Sequence, residues 1–578
     1  MAGLVTTLRR PRVTADRGRL RRLLSAQYLV IFLAVAIIAY LGAVPIAFML
    51  WKTFVIGGHL SFANFRSAYT SVGIGTMMLN TLVFAFGSSA VALAIGSVLA
   101  YLIARTDVPG KPLMFAASLV PLIIPGILHT IAWVFILDPN IGIANKWLIT
   151  PLDGGHPFQL YSLAGMIIVE GLHLAPLVFL LMVAALRSMD PSLEESAIMS
   201  GASLPTVFRR ITLPLVRPAL YAAALIMVVR GLESFEVPAV LGLRNHIWVY
   251  TSRIWQALND AIPNFGQAGA YALTLLLMTV IGLFFQSRLS KSSRSYQTIT
   301  GKGFRPHPVR LGRWRWPATA FIVLYFVVAV VLPLLILFYA STQAFYAPPS
   351  HYTLSHMSFS NYTAEWHDPV IRHAVLNSVY LGLGAATAVM LLTAIASWLV
   401  VRTRMRGRTL VDNLAFLPLT IPGLVLGTAI LFVYLRTSWL PVYGTLWILF
   451  IAYLTRYLPY GMRYSSTSMY QIGRELEESA HMSGAGWWHT FRRVVLPLLA
   501  PGLVAGWIYI LIVSFRELGA SVLLYSPGKE VLSIVIWEQY RDGLLTQVAA
   551  LGVMLVGALI VMVAIAYKLG ARIGVKEG

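Results

Sequence analysis

Long apolar runs alternate with short polar connections along the whole chain. Runs such as 28–50, 82–104, 321–340 and 548–567 are close to the roughly 20 residues that a helix needs to cross a bilayer. The pattern predicts six apolar helices in each half. They lie at 27–52, 77–104, 113–136, 160–188, 214–242 and 267–287, and then at 318–342, 374–401, 411–436, 441–468, 498–523 and 544–568. The predicted fold is an all-α integral membrane protein with about twelve transmembrane helices.

The composition supports this interpretation. Hydrophobic residues make up 58% of the 578 residues, charged residues only 11%, and the mean hydropathy is +0.74. The first apolar run is too long for the core of a cleavable signal peptide and no small-residue cleavage pattern follows it, so we expect it to remain as the first span. The chain has no cysteine, which excludes disulfides, thiolate catalysis and cysteine-ligated metals.

The net charge of +22 is concentrated in three places. Seven Lys/Arg fall within 1–26, eight within 287–315 and four within 402–408. An excess of Lys/Arg in short loops marks the cytoplasmic side of a membrane protein, and such residues also attract anionic lipid. With the N-terminus inside, six spans per half place all three clusters and the C-terminal tail in the cytoplasm. Binding of nucleic acid would need these charges on a folded surface with stacking aromatics, and we do not expect it.

One polar sequence occurs twice. Residues 193–220 read LEESAIMSGASLPTVFRRITLPLVRPAL and residues 476–503 read LEESAHMSGAGWWHTFRRVVLPLLAPGL, with 17 of the 28 positions identical. Repetition at a fixed offset indicates duplicated architecture. Because six is even, the halves are parallel repeats. The predicted units are a basic cytoplasmic tail at 1–26, a first six-span repeat at 27–287, a basic cytoplasmic linker at 288–316 and a second repeat at 317–578.

Each copy of the repeated loop predicts a helix–turn–helix knob. Asp190 can cap a helix that Pro191 begins, and the acidic pair then lies near the positive end of the helix dipole. A glycine allows a sharp turn after about two helical turns, and a second short helix leads to Pro214. An ordinary basic loop would not keep these residues at one spacing in both halves. We assign a partner-docking surface to Glu194, Glu195, Ala197, Gly201, Arg209 and Arg210, and to Glu477, Glu478, Ala480, Gly484, Arg492 and Arg493.

These loops resemble the EAA loop of membrane subunits of ABC importers that work with a substrate-binding protein. The family motif runs E-A-A, three residues, Gly, nine residues and then I-x-L-P. The chain matches it at Glu195-Ser196-Ala197, Gly201 and Ile211–Pro214, and again at Glu478-Ser479-Ala480, Gly484 and Val494–Pro497. Serine replaces the first alanine in both copies, and valine replaces the isoleucine in the second.

The resemblance implies a type I ABC importer permease fold in which one fused chain supplies both halves of the pore. It implies two copies of a cytoplasmic ABC ATPase, each receiving a loop, and a periplasmic or lipid-anchored substrate-binding protein. The setting would be the bacterial plasma membrane. The fused layout, with 234–238 and 515–520 after the loops, is similar to the ferric-iron permease group. Ferric iron is therefore the favoured substrate, with thiamine, polyamine and phosphonate permeases as close relatives.

The sequence contains no nucleotide-binding motif. Each Gly-Lys pair, at Gly110-Lys111, Gly301-Lys302 and Gly528-Lys529, lacks the following Ser/Thr that would hold Mg²⁺. We therefore expect the chain to be no enzyme and to carry no cofactor, with ATP and Mg²⁺ bound by the ATPase. Metal-ligand spacings are also absent, and the separated residues His129, His173, His246 and His481 are interpreted as packed side chains.

Ionisable residues inside the predicted spans are costly and face a cavity or one another. Two interpretations stay open: intramembrane ion pairs that hold the bundles together, or a polar lining of the translocation path. In a rival hypothesis, a proton-coupled secondary transporter, the Glu170/His173 pair would be the proton relay. Both signs of charge occur, so the substrate's charge is not predicted. The candidate residues are Glu170, His173, Glu233, Glu236, Arg456, Arg516 and Glu517.

The external loops differ in length between the halves. Residues 137–160 form a loop that half two reduces to a few residues near 439–443, whereas 342–373 is longer than its counterpart at 53–76. The difference either seats the unequal lobes of a binding protein or reflects drift in loops that touch nothing.

Overall fold

The structure, a computed structural model, describes residues 26–190, 192–293, 308–437 and 439–572. Helices dominate this part of the chain. A two-residue hairpin, β1 Val55–Ile56 with β2 His59–Leu60, follows the first span. The all-α membrane fold predicted from the hydropathy pattern is confirmed.

The principal helices of half one are α1 (Ala26–Phe54), α2 (Ile74–Arg105), α3 (Lys111–Leu119), α4 (Gly126–Leu137), α5 (Leu163–Arg187), α6 (Ser192–Met199), α7 (Leu213–Glu233), α8 (Tyr250–Asn259) and α9 (Phe265–Ser293). Those of half two are α10 (Arg315–Phe326), α11 (Leu332–Ser341), α12 (Pro369–Arg402), α13 (Arg408–Phe416), α14 (Gly423–Tyr434), α15 (Leu446–Gln471), α16 (Glu475–Met482), α17 (Leu496–Ser514), α18 (Leu532–Arg541) and α19 (Leu545–Arg572). Shorter α-helical turns are Ala63–Tyr69, Thr150–Leu152, Leu204–Val207, His351–Ser355, Ser360–His367, Trp487–Thr490 and Ser521–Leu524. The 3-10 turns are Val120–Leu122, Leu243–Asn245, Gly312–Trp314 and Leu417–Thr420, and the π turns are Asn145–Ile149, Phe208–Thr212, Pro238–Gly242, Val327–Val331 and Phe491–Val495.

The third span of each half is broken into two helical segments. The helical segment 111–122 meets α4 at 95°, and 408–420 meets α14 at 110°. The break falls where Pro125 and Pro422 precede the new helix. Proline has no N–H and disfavours helical geometry in the residue before it, so the helix ends there. The spans predicted at 113–136 and 411–436 are therefore right in position, and each consists of two helical segments joined at a sharp bend.

The span count agrees with about twelve. Among the described residues, nine helices are long and apolar enough to cross a membrane, or eleven if each bent pair is one span. The remaining predicted span corresponds to α15, which is 26 residues long and contains Arg456 and Arg463. Its length suffices to cross, and its charges explain why hydropathy alone does not select it.

Helices α2 and α5 form the most extensive helix pair, and α12 and α15 form its equivalent in half two. Small residues permit this close approach. A Cβ at Gly96 would lie 2.5 Å from the Ala175 carbonyl oxygen and 2.9 Å from the Phe179 nitrogen, and one at Gly461 would lie 2.4 Å from Val389 Cγ1. Both halves therefore pack their second and fourth spans through a glycine.

Helices of one half also pack against helices of the other. Helix α1 packs against α14 of half two, and α11 packs against α4 of half one. The Tyr40 and Tyr434 hydroxyls are 2.7 Å apart in the first contact, and the Tyr346 hydroxyl donates to the Phe135 carbonyl oxygen at 2.6 Å in the second. The opening span of each half thus braces the broken span of the other.

Both repeated loops lie at the same face, which we call the loop face. Helices α2 and α12 end there, since Arg105 lies 3.7 Å from Glu194 and Arg402 lies 2.8 Å from Glu477. The end of the basic linker reaches the same face, because Val309 forms a β-bridge with Thr106.

Substituting Gly96 by alanine is expected to destabilise the protein, because the added methyl group meets backbone atoms of α5. Overpacking of this kind costs ~1–3 kcal/mol. Gly75, in the same helix, has open space where its Cβ would lie, so Gly75→Ala is the matched control. Thermal unfolding in detergent should show a lower melting temperature for Gly96→Ala alone. Equal melting temperatures for the two variants would contradict the close packing.

Candidate functional site

The first helix of the repeated loop begins as the sequence predicts. The Asp190 carboxylate accepts a hydrogen bond from the Ser192 backbone N–H at 2.9 Å. Hydrogen bonds from the backbone and the side chain of Ser192 hold the pKa of Asp190 below its usual value. Pro191 lies outside the described residues. Glu194 and Glu195 occupy the first turn of α6, next to its positive end.

Glycine ends this helix in both copies. Gly201 has φ +84° and Gly484 has φ +83°, a region that other residues rarely adopt. The Ala202 N–H donates to the Ala197 carbonyl oxygen, and the Ala485 N–H donates to the Ala480 carbonyl oxygen, each at 3.0 Å. This is the hydrogen bond of a glycine-terminated helix end. The predicted sharp turn is present in both halves.

The second helix of the knob is not separate from the membrane. Residues 204–233 form one continuous helical span through a π turn, and residues 487–514 do the same. The predicted spans at 214–242 and 498–523 therefore begin and end too late. Because no break separates the second helix of the knob from the fifth span of its half, any tilt of that helix is passed directly to the span.

The two glutamates of each pair have different surroundings. Glu194 and Glu477 are buried at 5% and 9% exposure and contact arginines of their own chain. Glu195 is half-buried and Glu478 is exposed. Burial of Glu194 and Glu477 leaves little of either carboxylate for a partner, contrary to the surface position assumed from the sequence.

The rest of the knob offers a mixed surface. Both arginine pairs, 209–210 and 492–493, are exposed, whereas Ala197 and Ala480 are half-buried. Met199 and Met482 occupy equivalent positions and are each 89% exposed. Flexible methionine adapts well to a partner groove, and exposed arginines beside it favour an acidic rim.

All seven ionisable residues predicted inside the spans line one cavity of about 580 Å³. Half one contributes Glu170, His173, Glu233 and Glu236, and half two contributes Arg456, Arg516 and Glu517. The cavity therefore lies where the halves meet. Arg230 and the tyrosines Tyr457, Tyr460 and Tyr509 line it as well.

Two polar contacts in the cavity connect the halves. The Arg456 guanidinium lies 3.8 Å from the Glu233 carboxylate, which is also 3.4 Å from Arg230. Arg230 in turn donates to the Tyr460 hydroxyl at 3.3 Å. The same residues thus pair across the interface and line the cavity, so the two interpretations left open by the sequence do not exclude each other.

Residues at the breaks of the two third spans, Leu122 and Gly423, also line this cavity. Arg516 donates to the Leu122 carbonyl oxygen and Arg456 donates to the Ile421 carbonyl oxygen, at the two points where helical pairing stops. Each restarted helix has a carboxylate near its first residue. A Cβ at Gly126 would overlap Glu236, and one at Gly423 would lie 3.4 Å from Glu517. Helix N-termini favour negative charge, so both ends of each break are compensated electrostatically.

Histidines 129 and 173 are not isolated in space. Their ring centroids are 5.2 Å apart, and the His129 ring accepts a hydrogen bond from the Trp133 indole at 3.1 Å. Glu170 accepts from the Ser234 hydroxyl at 3.0 Å instead of pairing with His173. Across the ranges that the structure describes, no group of three or more His, Asp or Glu side chains is arranged to hold a metal ion.

The sequence analysis missed the three cavity tyrosines. Tyr457 and Tyr460 lie one turn apart beside Arg456 on α15, and Tyr509 faces them from α17, with ring centroids of Tyr460 and Tyr509 5.4 Å apart. Tyrosine is common in membrane helices near interfaces, so only their spacing from Arg456 could have indicated a cavity position.

The loop at 137–160 is held by specific buried contacts. Asp138 is 2% exposed and accepts from the Tyr161 hydroxyl at 2.6 Å and from Arg244 at 3.2 Å. The buried Asn145 side chain bonds to Leu137 and to both backbone groups of Phe158. The extra length of half one is thus an ordered structure.

The chain belongs to the family of binding-protein-dependent transport system inner membrane components, whose model matches residues 92–295 and again 390–574. Members of this family are multi-pass membrane permeases, and the two matches correspond to the two repeats of the loop and broken span.

Similar proteins include two from Haemophilus influenzae. The putative ferric transport system permease protein FbpB 1 is 25% identical over 72% of this chain and 65% of its own length. The Fe(3+)-transport system permease protein FbpB 2 is 25% identical over 83% of this chain and 87% of its own length. The chain therefore spans slightly less than two thirds of the first relative. A solved bacterial ABC transporter involved in alginate import has a chain that is 18% identical, with a TM-score of 0.37 over 45% of this chain and 97% of that one.

Removing the charge of Glu233 is expected to weaken the junction between the halves, because Arg230 and Arg456 would lose their shared carboxylate. Breaking a fully buried pair costs ~3–5 kcal/mol, and the partial exposure of Arg230 lowers this figure. Glu233→Gln should therefore reduce the melting temperature. Asp260→Asn, at an exposed outer position, is the control. An unchanged melting temperature in Glu233→Gln would show that the pair does not join the halves.

Proposed function

We propose that this chain is the transmembrane permease subunit of an ABC importer and that it supplies both halves of the translocation pathway. The observation that carries this proposal is the pairing of two equivalent knobs at one face with a single polar cavity between the halves. A cavity shared by two duplicated bundles can open to alternate sides when the bundles tilt. Family membership supports the importer class.

The energy comes from a separate subunit. The sequence has no phosphate-binding loop, so ATP and Mg²⁺ belong to two copies of a cytoplasmic ABC ATPase, one at each knob. The exposed Met199 and Met482, with the neighbouring arginine pairs, form the surfaces that dock. Glu195 and Glu478 remain the acidic docking residues, while Glu194 and Glu477 act inside the permease.

The loop face is cytoplasmic in this proposal. The basic segment at 402–408 and the end of the basic linker reach that face, in accord with the retention of positive charge inside. Both chain termini are then cytoplasmic in a bacterial plasma membrane. The opposite face, with the ordered loop at 137–160, receives a periplasmic or lipid-anchored substrate-binding protein.

Ferric iron is the favoured substrate. Two similar proteins are named as ferric transport permeases. The cavity adds chemical support, because four carboxylates and three tyrosine hydroxyls line it, and oxygen ligands suit hard cations. Three arginines in the same cavity keep its net charge small, so a cation would pass without being trapped.

Disrupting both knobs should separate ATP hydrolysis from transport. Gly201→Asp with Gly484→Asp would force a side chain into left-handed backbone and place a charge in a packed groove. We expect uptake by the reconstituted complex to fall by about tenfold or more, as for loss of a coupling of ~1.4 kcal/mol. Each single variant should have a smaller effect.

The measurement is substrate uptake and ATP hydrolysis in the same proteoliposomes, with Glu195→Ala plus Glu478→Ala as a second, less disruptive pair. Gly75→Ala, far from the knobs, serves as the control. Normal ATPase association and normal uptake in both double variants would remove the docking assignment.

A further inference from the structure

Each knob is joined to the end of the second span of its half by a buried Arg–Glu pair. In half two, Arg402 also donates to the Ile472 carbonyl oxygen at 2.6 Å, and Arg474 donates to the Val401 carbonyl oxygen at 3.3 Å. In half two, Arg402 Nε lies 2.8 Å from the Glu477 carboxylate, whose other oxygen accepts from the Trp398 indole at 3.0 Å. In half one, Arg105 lies 3.7 Å from Glu194. All four charged side chains are largely buried. The exposed fraction of the side chain alone is 5% for Arg105 and 6% for Glu194, and 8% for Arg402 and 12% for Glu477.

The arginine of each pair lies outside the repeated loop, and the glutamate is not the acidic residue of the family motif. That residue is Glu195 or Glu478, one position further along the chain. The glutamates of the two pairs repeat at an offset of 283 residues and their arginines at 297. The pairing is therefore visible only in three dimensions. Separating a buried guanidinium from its carboxylate would leave an uncompensated charge, which is strongly destabilising. We therefore expect each pair to stay together when the knob moves.

The N-terminal ends of α2 and α12 lie at the opposite end of each helix from the knob. They are hydrogen-bonded to chain segments that follow, in sequence, the cavity-lining residues 233–236 and 516–519. Thr81 accepts from the Tyr250 N–H at 3.2 Å, and Ser378 accepts from the Leu532 N–H at 2.9 Å. The Asn377 side chain adds a bond to the Glu530 carbonyl oxygen at 2.9 Å. In both halves one long helix thus connects a knob to the segment that follows the cavity-lining residues.

We propose that the pairs Arg105–Glu194 and Arg402–Glu477 are tethers that make α2 and α12 follow the knobs, and that these four are positioning residues for transport. The inference rests on the proposed function, since it takes the ATPase to be what moves the knobs. Displacement of α6 or α16 reaches the cavity by two routes, along the continuous fifth span and along the tethered second span. Without the tether only the first route remains.

The two tethers differ in strength. Arg402 and Trp398, the partners of Glu477, both lie on α12, so this glutamate links α16 to the second span. Glu194 divides its oxygens between Arg105 on α2 and the Thr212 hydroxyl at 2.5 Å, and Thr212 belongs to the helix that continues into α7. Loss of the half-two tether should therefore have the larger effect.

The first test measures the knob in the permease alone. Because the chain contains no cysteine, Met199→Cys or Met482→Cys gives a unique site for a spin label at an exposed position. We expect Arg402→Gln to raise the mobility of the label at 482, and Arg105→Gln to raise that at 199 by less. Arg404→Gln, two residues away and exposed, is the matched control for lost charge.

Two further variants keep this test decisive if Arg402→Gln folds poorly. Arg402→Lys retains the charge but not the Nε contact, and should give intermediate mobility. Glu477→Gln removes the charge of the carboxylate but keeps the Arg402 hydrogen bond to the Ile472 carbonyl oxygen, and should raise the mobility of the label as Arg402→Gln does. Unchanged mobility in both Arg402→Gln and Glu477→Gln would overturn the tether.

The second test measures transport per ATP hydrolysed in the reconstituted complex. Arg402→Gln should lower this ratio by about fivefold or more, with ATPase association retained, and Arg404→Gln should not change it. A mobile knob with an unchanged ratio would overturn the role of the tether in transport. If the unaltered complex shows no ATP-driven uptake, the proposed function fails, while the label measurement still decides whether the tethers exist.

Discussion

A helix that breaks within a membrane exposes backbone groups that water does not reach, and the rest of this structure depends on how the chain satisfies them. In each half the third span stops near a proline and restarts after a sharp bend. Arginines 456 and 516 cover freed carbonyl oxygens, and carboxylates of Glu236 and Glu517 lie near the restarted helix ends. Since irregular backbone is tolerated only where protein or a cavity surrounds it, the breaks fix the position of the polar cavity.

The two halves share one architecture but carry different charges at equivalent positions. At the offset of 283 residues, His173 corresponds to Arg456 and Glu233 corresponds to Arg516. Carboxylates in half one thus face guanidinium groups in half two, and Glu233 pairs with Arg456 across the junction. An exact repeat would have placed like charges opposite each other. The divergence explains how two bundles with the same helix order meet at one compensated interface.

The sequence predicted those features that depend on periodicity or on repetition. Span positions, the glycine turn and the location of the ionisable residues beside a cavity or one another follow from apolar length, backbone freedom and the cost of charge in lipid. Proline at 125 and 422 allows a kink or a break, but bends of 95° and 110° did not follow, because membrane helices often continue through proline. The inward direction of Glu194 and Glu477 did not follow either, because their arginine partners repeat at a different offset.

The function we propose requires that this chain moves its substrate with energy from a partner ATPase. The most direct measurement is uptake into proteoliposomes that contain the purified chain, with and without the ATPase and binding protein. We predict uptake only when both partners and ATP are present, and none on a proton gradient alone. Uptake driven by a proton gradient in the absence of any ATPase would contradict it, and would favour a secondary transporter.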